Sequence, residues 1–344
     1  MTGCGSLASP KGWASPIVSN DLLLVSPQHN KLVAISLTTE QEEWRFPGEG
    51  SKRQLRALYA TPVVADGKVF VGGYDGNLYA LDIENGGEVW LFQTQGPLVG
   101  GPAIDQGTVY FGSGDHCIYA VEAQTGESAW NRFCTGAKIW STPAVSDGVV
   151  FVTSMDHKAY ALDALTGETR WSQSFKTDGA ISSSPVVADG VVYFGSLDKK
   201  FYALDANSGE LVWQQPFEAD DWIWNRAVVS GGRVYFGTLG GSVYALDANS
   251  GELVWQQPFK TLADAGVSAA PALVGARLVI ADEDGNLYGL DAASGEEVWT
   301  EPRPSGILSD LSVDGNTVYY ASEDGAVESV DPSNGSVTTL LPAK

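Results

Sequence analysis

Tyr202-Ala203-Leu204-Asp205-Ala206-Asn207-Ser208-Gly209-Glu210-Leu211-Val212-Trp213 reads as two short strands around a tight turn, closed by a tryptophan. The same words return from Tyr244 to Trp255, and the identity runs over Tyr202–Phe217 and Tyr244–Phe259. Looser copies end at Trp44, Trp90, Trp130, Trp171 and Trp299, and an eighth, Val330 to Gly335, lacks its tryptophan. Successive tryptophans lie 46, 40, 41, 42, 42 and 44 residues apart. A fixed period of this length marks an array of supersecondary units.

The second repeat shows what one unit contains. Ala60 to Ala65, Lys68 to Gly73, Leu78 to Asp82 and Glu88 to Phe92 are rich in β-branched, aromatic and aliphatic residues. Asp66-Gly67, Tyr74 to Asn77 and Ile83 to Gly87 separate them as turns. No segment carries a helical period of useful length. Each repeat is therefore predicted to be a four-stranded antiparallel meander. A lone meander cannot bury both faces, whereas eight packed radially bury them and leave only short edges. The predicted fold is all-β: an eight-bladed β-propeller, one domain over residues 13–344 behind a short start at 1–12.

In that fold Trp44, Trp90, Trp130, Trp171, Trp213, Trp255 and Trp299 suit the seams between blades, each with one N–H to satisfy. The turn glycine is expected at positive φ, and the aspartate three or four residues before it is expected to accept turn N–H groups. These carboxylates are structural, and none is expected to be catalytic.

The net charge of the 344 residues is −22. An acidic surface argues against nucleic acid or anionic lipid as partners. No apolar run approaches the roughly 18 residues of a membrane span. All three histidines, His29, His116 and His157, occupy one turn position on separate repeats, where they diverge, so no metal site is expected. Asp282 to Asn286 has a faint likeness to a calcium loop, but a hairpin turn explains it better. A hairpin centred on Thr125-Gly126 sets Cys117 and Cys134 opposite each other. A disulfide and two buried small apolar side chains are the two readings of that pair.

The pattern A-x-D-x-x-[TS]-G-x-x-x-W resembles the tryptophan-docking motif of the PQQ-like β-propeller repeat. It is matched at 161–171, 203–213 and 245–255, and with single departures at 80–90, 120–130 and 289–299. The first repeat departs further, with Ser36 for the aspartate and Glu40 for the glycine, and the last has Ser329 and Thr339 for the alanine and tryptophan. Met1-Thr2-Gly3-Cys4 resembles the end of a bacterial lipobox, with Cys4 as the lipidated residue and the preceding apolar segment trimmed. Eight docking repeats, little sequence outside them and this start together resemble the BamB family of outer-membrane assembly lipoproteins. That resemblance implies a non-enzymatic, monomeric scaffold. It would sit on the periplasmic face of the outer membrane or the cell surface, bind envelope proteins such as the β-barrel assembly machinery, and need no cofactor. Members usually close the ring by lending an N-terminal strand to the last blade. Here the last repeat owns an outer strand, Ser336 to Leu340, so closure is expected to rest on blade packing.

The strand order puts the A–B and C–D turns on one face and the B–C turns and D–A crossovers on the other. The first face is monotonous and the second varies, and variable loops on a rigid scaffold are where binding sits. Arg53, Arg56, Trp140, Trp222, Trp224 and Arg226 are the expected partner-binding residues of that face. Plugging of the channel by the tryptophans, and pairing of Lys52, Arg53 and Arg56 with nearby acids, are the structural readings beside it. Two other functions stay open: a binder of small molecules or glycans stacking on Trp222 or Trp224, and a PQQ-dependent dehydrogenase. The dehydrogenases are longer, with inserted loops and adjacent cysteines that this chain lacks.

Overall fold

The computed structural model describes residues 14–27, 30–51 and 55–343. Cys4, Trp13, His29, Lys52 and Arg53 lie outside them. Eight separate four-stranded antiparallel sheets span residues 17–46, 63–93, 103–134, 144–176, 186–218, 228–260, 272–302 and 312–341. We number these blades 1 to 8 and letter their strands A to D in chain order. Strands A touch in six of the neighbouring pairs, those of blades 8 and 1 among them, so A is innermost and the ring is closed. One 3₁₀ turn, Leu262–Asp264, is the helical element among the described residues, and no helix is long and apolar enough to cross a membrane.

Seven seams repeat one arrangement. The indole N–H of Trp171 donates to the Ala206 carbonyl of the next blade at 2.9 Å, that of Trp213 to Ala248 at 2.9 Å, and that of Trp299 to Pro332 at 2.8 Å. The ring lies flat on the next blade's turn glycine. A Cβ at Gly209 would stand 2.7 Å from the Trp171 ring, and Gly209 has φ +75°. Steric closeness and backbone conformation thus both require glycine there. The strand-C aspartate caps the same turn: Asp205 Oδ1 accepts from the amides of Asn207 (3.0 Å) and Ser208 (2.8 Å).

The eighth seam is different. Blade 8 offers no tryptophan, and blade 1 has Glu40 at φ 56° where the glycine stands elsewhere. The two irregular repeats are the two sides of one joint: with no indole to receive, the turn of blade 1 tolerates a side chain. Each blade is built from four consecutive strands, so among the described residues no strand crosses this joint. A cluster of Leu23, Val25, Val33 and Ile35 with Tyr319, Ala321 and Val327 closes it by apolar packing.

Cys117 and Cys134 face each other across strands C and D of blade 3 and form a disulfide. The bridge spans 17 residues of chain. Restricting a loop of that size stabilises a fold by about 2–3 kcal/mol. Reductant is therefore expected to lower the denaturant midpoint of the native chain but leave that of a Cys117→Ser/Cys134→Ser variant in place. Equal midpoints with and without reductant in the native chain would contradict this.

Candidate binding face

The B–C turns and D–A crossovers meet on one face, joined by backbone hydrogen bonds such as Met155 N to Lys138 O (3.0 Å) and Leu239 N to Trp222 O (2.9 Å). In blades 3 to 5 an aspartate of the B–C turn ties the two loops together. Asp115 Oδ2 accepts from the Gln95 amide at 2.8 Å and from the Tyr119 hydroxyl at 2.8 Å. Asp156 does the same with Gly136 N and Tyr160, and Asp198 with Asp178 N and Tyr202. Burial, then the neighbouring carboxylate, pushes the Tyr160 and Tyr202 hydroxyls above their ordinary range. The Asp-x-x-x-Tyr spacing that carries this clasp is visible in the sequence, although the structural role of these aspartates is not among the expectations above.

Blade 6 inverts the clasp. Its B–C turn, Leu239-Gly240-Gly241, has no acid, and the carboxylate comes instead from Asp220 in the crossover. Asp220 accepts from Thr238 Oγ1 (2.9 Å), Ser242 Oγ (2.5 Å) and Lys260 Nζ (2.7 Å). Burial raises its carboxyl, but these donors outweigh burial and hold it below the ordinary range. The crossover that follows, 221–226, is thereby fixed at its base. It leaves Trp222 50% exposed. Beyond the turn, the next crossover carries Leu262, 58% exposed, on a segment where Ala263 and Asp264 both take positive φ (54° and 56°). The Thr261 amide holds that segment to Gly241 O at 2.9 Å.

The crossovers also form two stacked rings around the central channel. The residue two places before each strand A is small in six blades: Ser15, Thr61, Gly101, Thr142, Ser184 and Ala270. The other two are Arg226 and Asp310. Two residues earlier stand Tyr59, Trp140 and Trp224, with Ser182, Ser268, Val99 and Leu308. These rings enclose a cavity of about 100 Å³ at the channel mouth. It shares walls with the channel below, about 470 Å³, and with a side cleft of about 230 Å³ beside Trp224. Trp140 and Trp224 touch, their ring centroids 6.2 Å apart, and Lys138 Nζ lies 5.4 Å over the Trp140 ring.

The expected residues therefore divide. Trp140, Trp224 and Arg226 come together at the channel mouth. Trp222 and Arg56 are exposed elsewhere on the face and do not line that cavity. Asp310, Ser182 and Ser268 line it and are not among the residues expected from sequence. Their signal is positional. Six of the eight ring residues precede a proline, whereas Arg226 precedes Ala227 and Asp310 precedes Leu311. Among the described residues no three His, Cys, Asp or Glu side chains gather to hold a metal ion.

A family model described as outer membrane protein assembly factor BamB matches residues 28–139, 132–222 and 202–341. Among solved structures, BamB from Moraxella catarrhalis superposes with a TM-score of 0.76 at 18% identity, over 92% of this chain and 93% of that one. A computationally designed protein superposes with a TM-score of 0.79 at 17% identity, over 94% and 98%. At these identities the likeness speaks for the fold. A curated relative, quinohemoprotein alcohol dehydrogenase ADH IIB of Pseudomonas putida, is 29% identical over 89 residues. That stretch is 24% of this chain and only 13% of the dehydrogenase. The family match runs through every blade, and on it the chain belongs to the family of PQQ-like β-propellers described as outer membrane protein assembly factor BamB.

Proposed function

We propose that this chain is a non-enzymatic interaction scaffold of the bacterial cell envelope that receives its protein partner on the crossover face. The observation that carries this reading is the pair Trp222 and Leu262, large apolar side chains left exposed on loops that Asp220 and Thr261 hold in place. A preorganised aromatic anchor costs little entropy on binding and suits an interface centre. Family membership adds the proposed setting: a monomer on the periplasmic face of the outer membrane, tethered by lipid at Cys4, with the β-barrel assembly machinery as partner. Arg53 and Arg56 are proposed for the same face, whereas Arg226 lines the channel mouth.

The test is affinity capture from native envelopes with the full chain, read by mass spectrometry. Recovery of a barrel-assembly protein is expected, with at least about a tenfold loss for Trp222→Ala. Capture that Trp222→Ala leaves unchanged overturns the proposed face.

The dehydrogenase relative raises a quinone reading, in which PQQ and a divalent cation occupy the channel. The residues present do not fit that group. A polyanionic quinone needs several cations, and Arg226 is the single cationic side chain lining the described mouth.

A further inference from the structure

We propose that the channel mouth, with the channel below it and the cleft beside Trp224, is a saccharide site, and that its ligand is a sugar ring bearing one carboxylate, a hexuronic acid or a glycan ending in one. The inference is independent of the protein-scaffold reading, because it concerns the channel and not the exposed Trp222 patch.

Three side-chain atoms at this one cavity are buried without a hydrogen-bond partner: Ser182 Oγ, Asn225 Oδ1 and Ser268 Oγ. Buried polar atoms are almost always paired, so three at one site call for a bound group. Their chemistry narrows that group. Asn225 spends both amide protons on backbone, Val267 O at 2.9 Å and Ala269 O at 3.2 Å, which leaves Oδ1 purely an acceptor. Asp310 Oδ1 receives the Ala270 amide at 2.8 Å, and its second oxygen is also an acceptor. The serine hydroxyls donate or accept. A ligand that satisfies all four needs several donors spread over a small volume, which a polyol supplies and a flat aromatic acid does not.

The walls supply the other half of sugar recognition. Trp224 separates the mouth from the side cleft and lines both, with Leu239 and Leu308 beside it in the cleft. The C–H face of a pyranose packs on such an indole while its hydroxyls reach the polar rim. Arg226 sets the charge. It lines the mouth with no carboxylate in ion-pair reach among the described residues, in a chain of net charge −22. A single guanidinium with no ion-pair partner among the described residues matches a single ligand carboxylate, and charge-assisted pairs are the strong ones.

The experiment is calorimetric titration of the full chain with D-glucuronate and with D-glucose. Saturable glucuronate binding is expected, with glucose at least about tenfold weaker. Arg226→Ala should erase the difference between the two sugars, and Trp224→Ala should abolish both. Ser182→Ala, which removes one oxygen and asks for no repacking, should weaken both sugars together. Trp222→Ala should leave both affinities unchanged. Absence of saturation at tens of millimolar sugar would mean that only water satisfies these atoms, and the proposal fails. Equal affinities in the native chain, or glucuronate binding that survives Arg226→Ala and Trp224→Ala intact, also overturn it. Loss of partner capture in Trp222→Ala with intact sugar binding separates this site from the scaffold face.

Discussion

Trp213→Ala is expected to cost about 3–5 kcal/mol of stability, while Trp222→Ala, nine residues later, stays within about 0.5–1 kcal/mol. The two residues are chemically identical and differ only in what surrounds them. Trp213 is 3% exposed and Trp222 is 50% exposed. The Trp213 ring stacks near Phe201 (6.2 Å) and Tyr193 (6.1 Å), covers Gly251, and donates to Ala248 O across the seam. Truncation removes the largest side chain of the joint, opens a cavity between two blades that cannot collapse without breaking the ring, and leaves the Ala248 carbonyl with the Tyr193 hydroxyl (3.2 Å) as its remaining side-chain donor. Trp222 presents an exposed ring whose loss water makes good. Guanidinium denaturation of the two variants against the parent gives the comparison. A small shift for Trp213→Ala would mean that the seam is held elsewhere, by strand A contacts in the channel. The same logic predicts a weaker joint between blades 8 and 1 as far as the described residues build it, because there it lacks both indole and turn glycine.

That contrast also explains what could be read from the chain before its fold was known. The tryptophan and the turn glycine recur in seven of the eight repeats and the aspartate in six, so Asp205, Gly209 and Trp213 announce their role by repetition. The strand order then fixes which loops share a face, and Trp140, Trp224 and Arg226 follow. Repetition is silent where a role appears once. The polar ring includes Asp310 only because strand A of blade 8 places it two residues before Ser312, on the same cavity as a side chain 84 positions away in sequence, Arg226. Asn225 reveals its free oxygen only when Val267 and Ala269 are seen to occupy its amide. The inverted clasp of blade 6 is equally hidden, since Asp220 replaces an acid that the other blades carry some twenty residues later.

Glu328→Gln is the second substitution with a large expected effect, about 3 kcal/mol at neutral pH. Six seams pair a strand-D phenylalanine with a strand-C tyrosine of the next blade, as in Phe217 with Tyr244 (5.2 Å) and Phe259 with Tyr288 (5.2 Å). At the seam between blades 7 and 8 the tyrosine position holds Glu328, 4% exposed. Arg303, just beyond strand D of blade 7, grips it through Nε to Oε2 (3.0 Å) and Nη2 to Oε1 (2.5 Å). Tyr320 and Thr339 hydroxyls donate to the same carboxylate at 2.8 and 2.9 Å. Burial pushes the Glu328 carboxyl up, but the Arg303, Tyr320 and Thr339 donors outweigh burial and hold it below the ordinary glutamate value. A carboxyl whose folded value is depressed binds its proton more readily in the unfolded chain. Its contribution is therefore whole above about pH 4.5, the unfolded value, and disappears as pH falls through the lower folded value. The glutamine variant lacks that contribution at every pH and keeps the side-chain volume. Native chain and variant should thus differ most at pH 7 and converge below pH 4.5 in denaturant midpoint. Every other carboxylate titrates equally in both, so the difference isolates Glu328. A gap that stays constant from pH 7 down to pH 3 would show that the Glu328 charge is not what holds this seam.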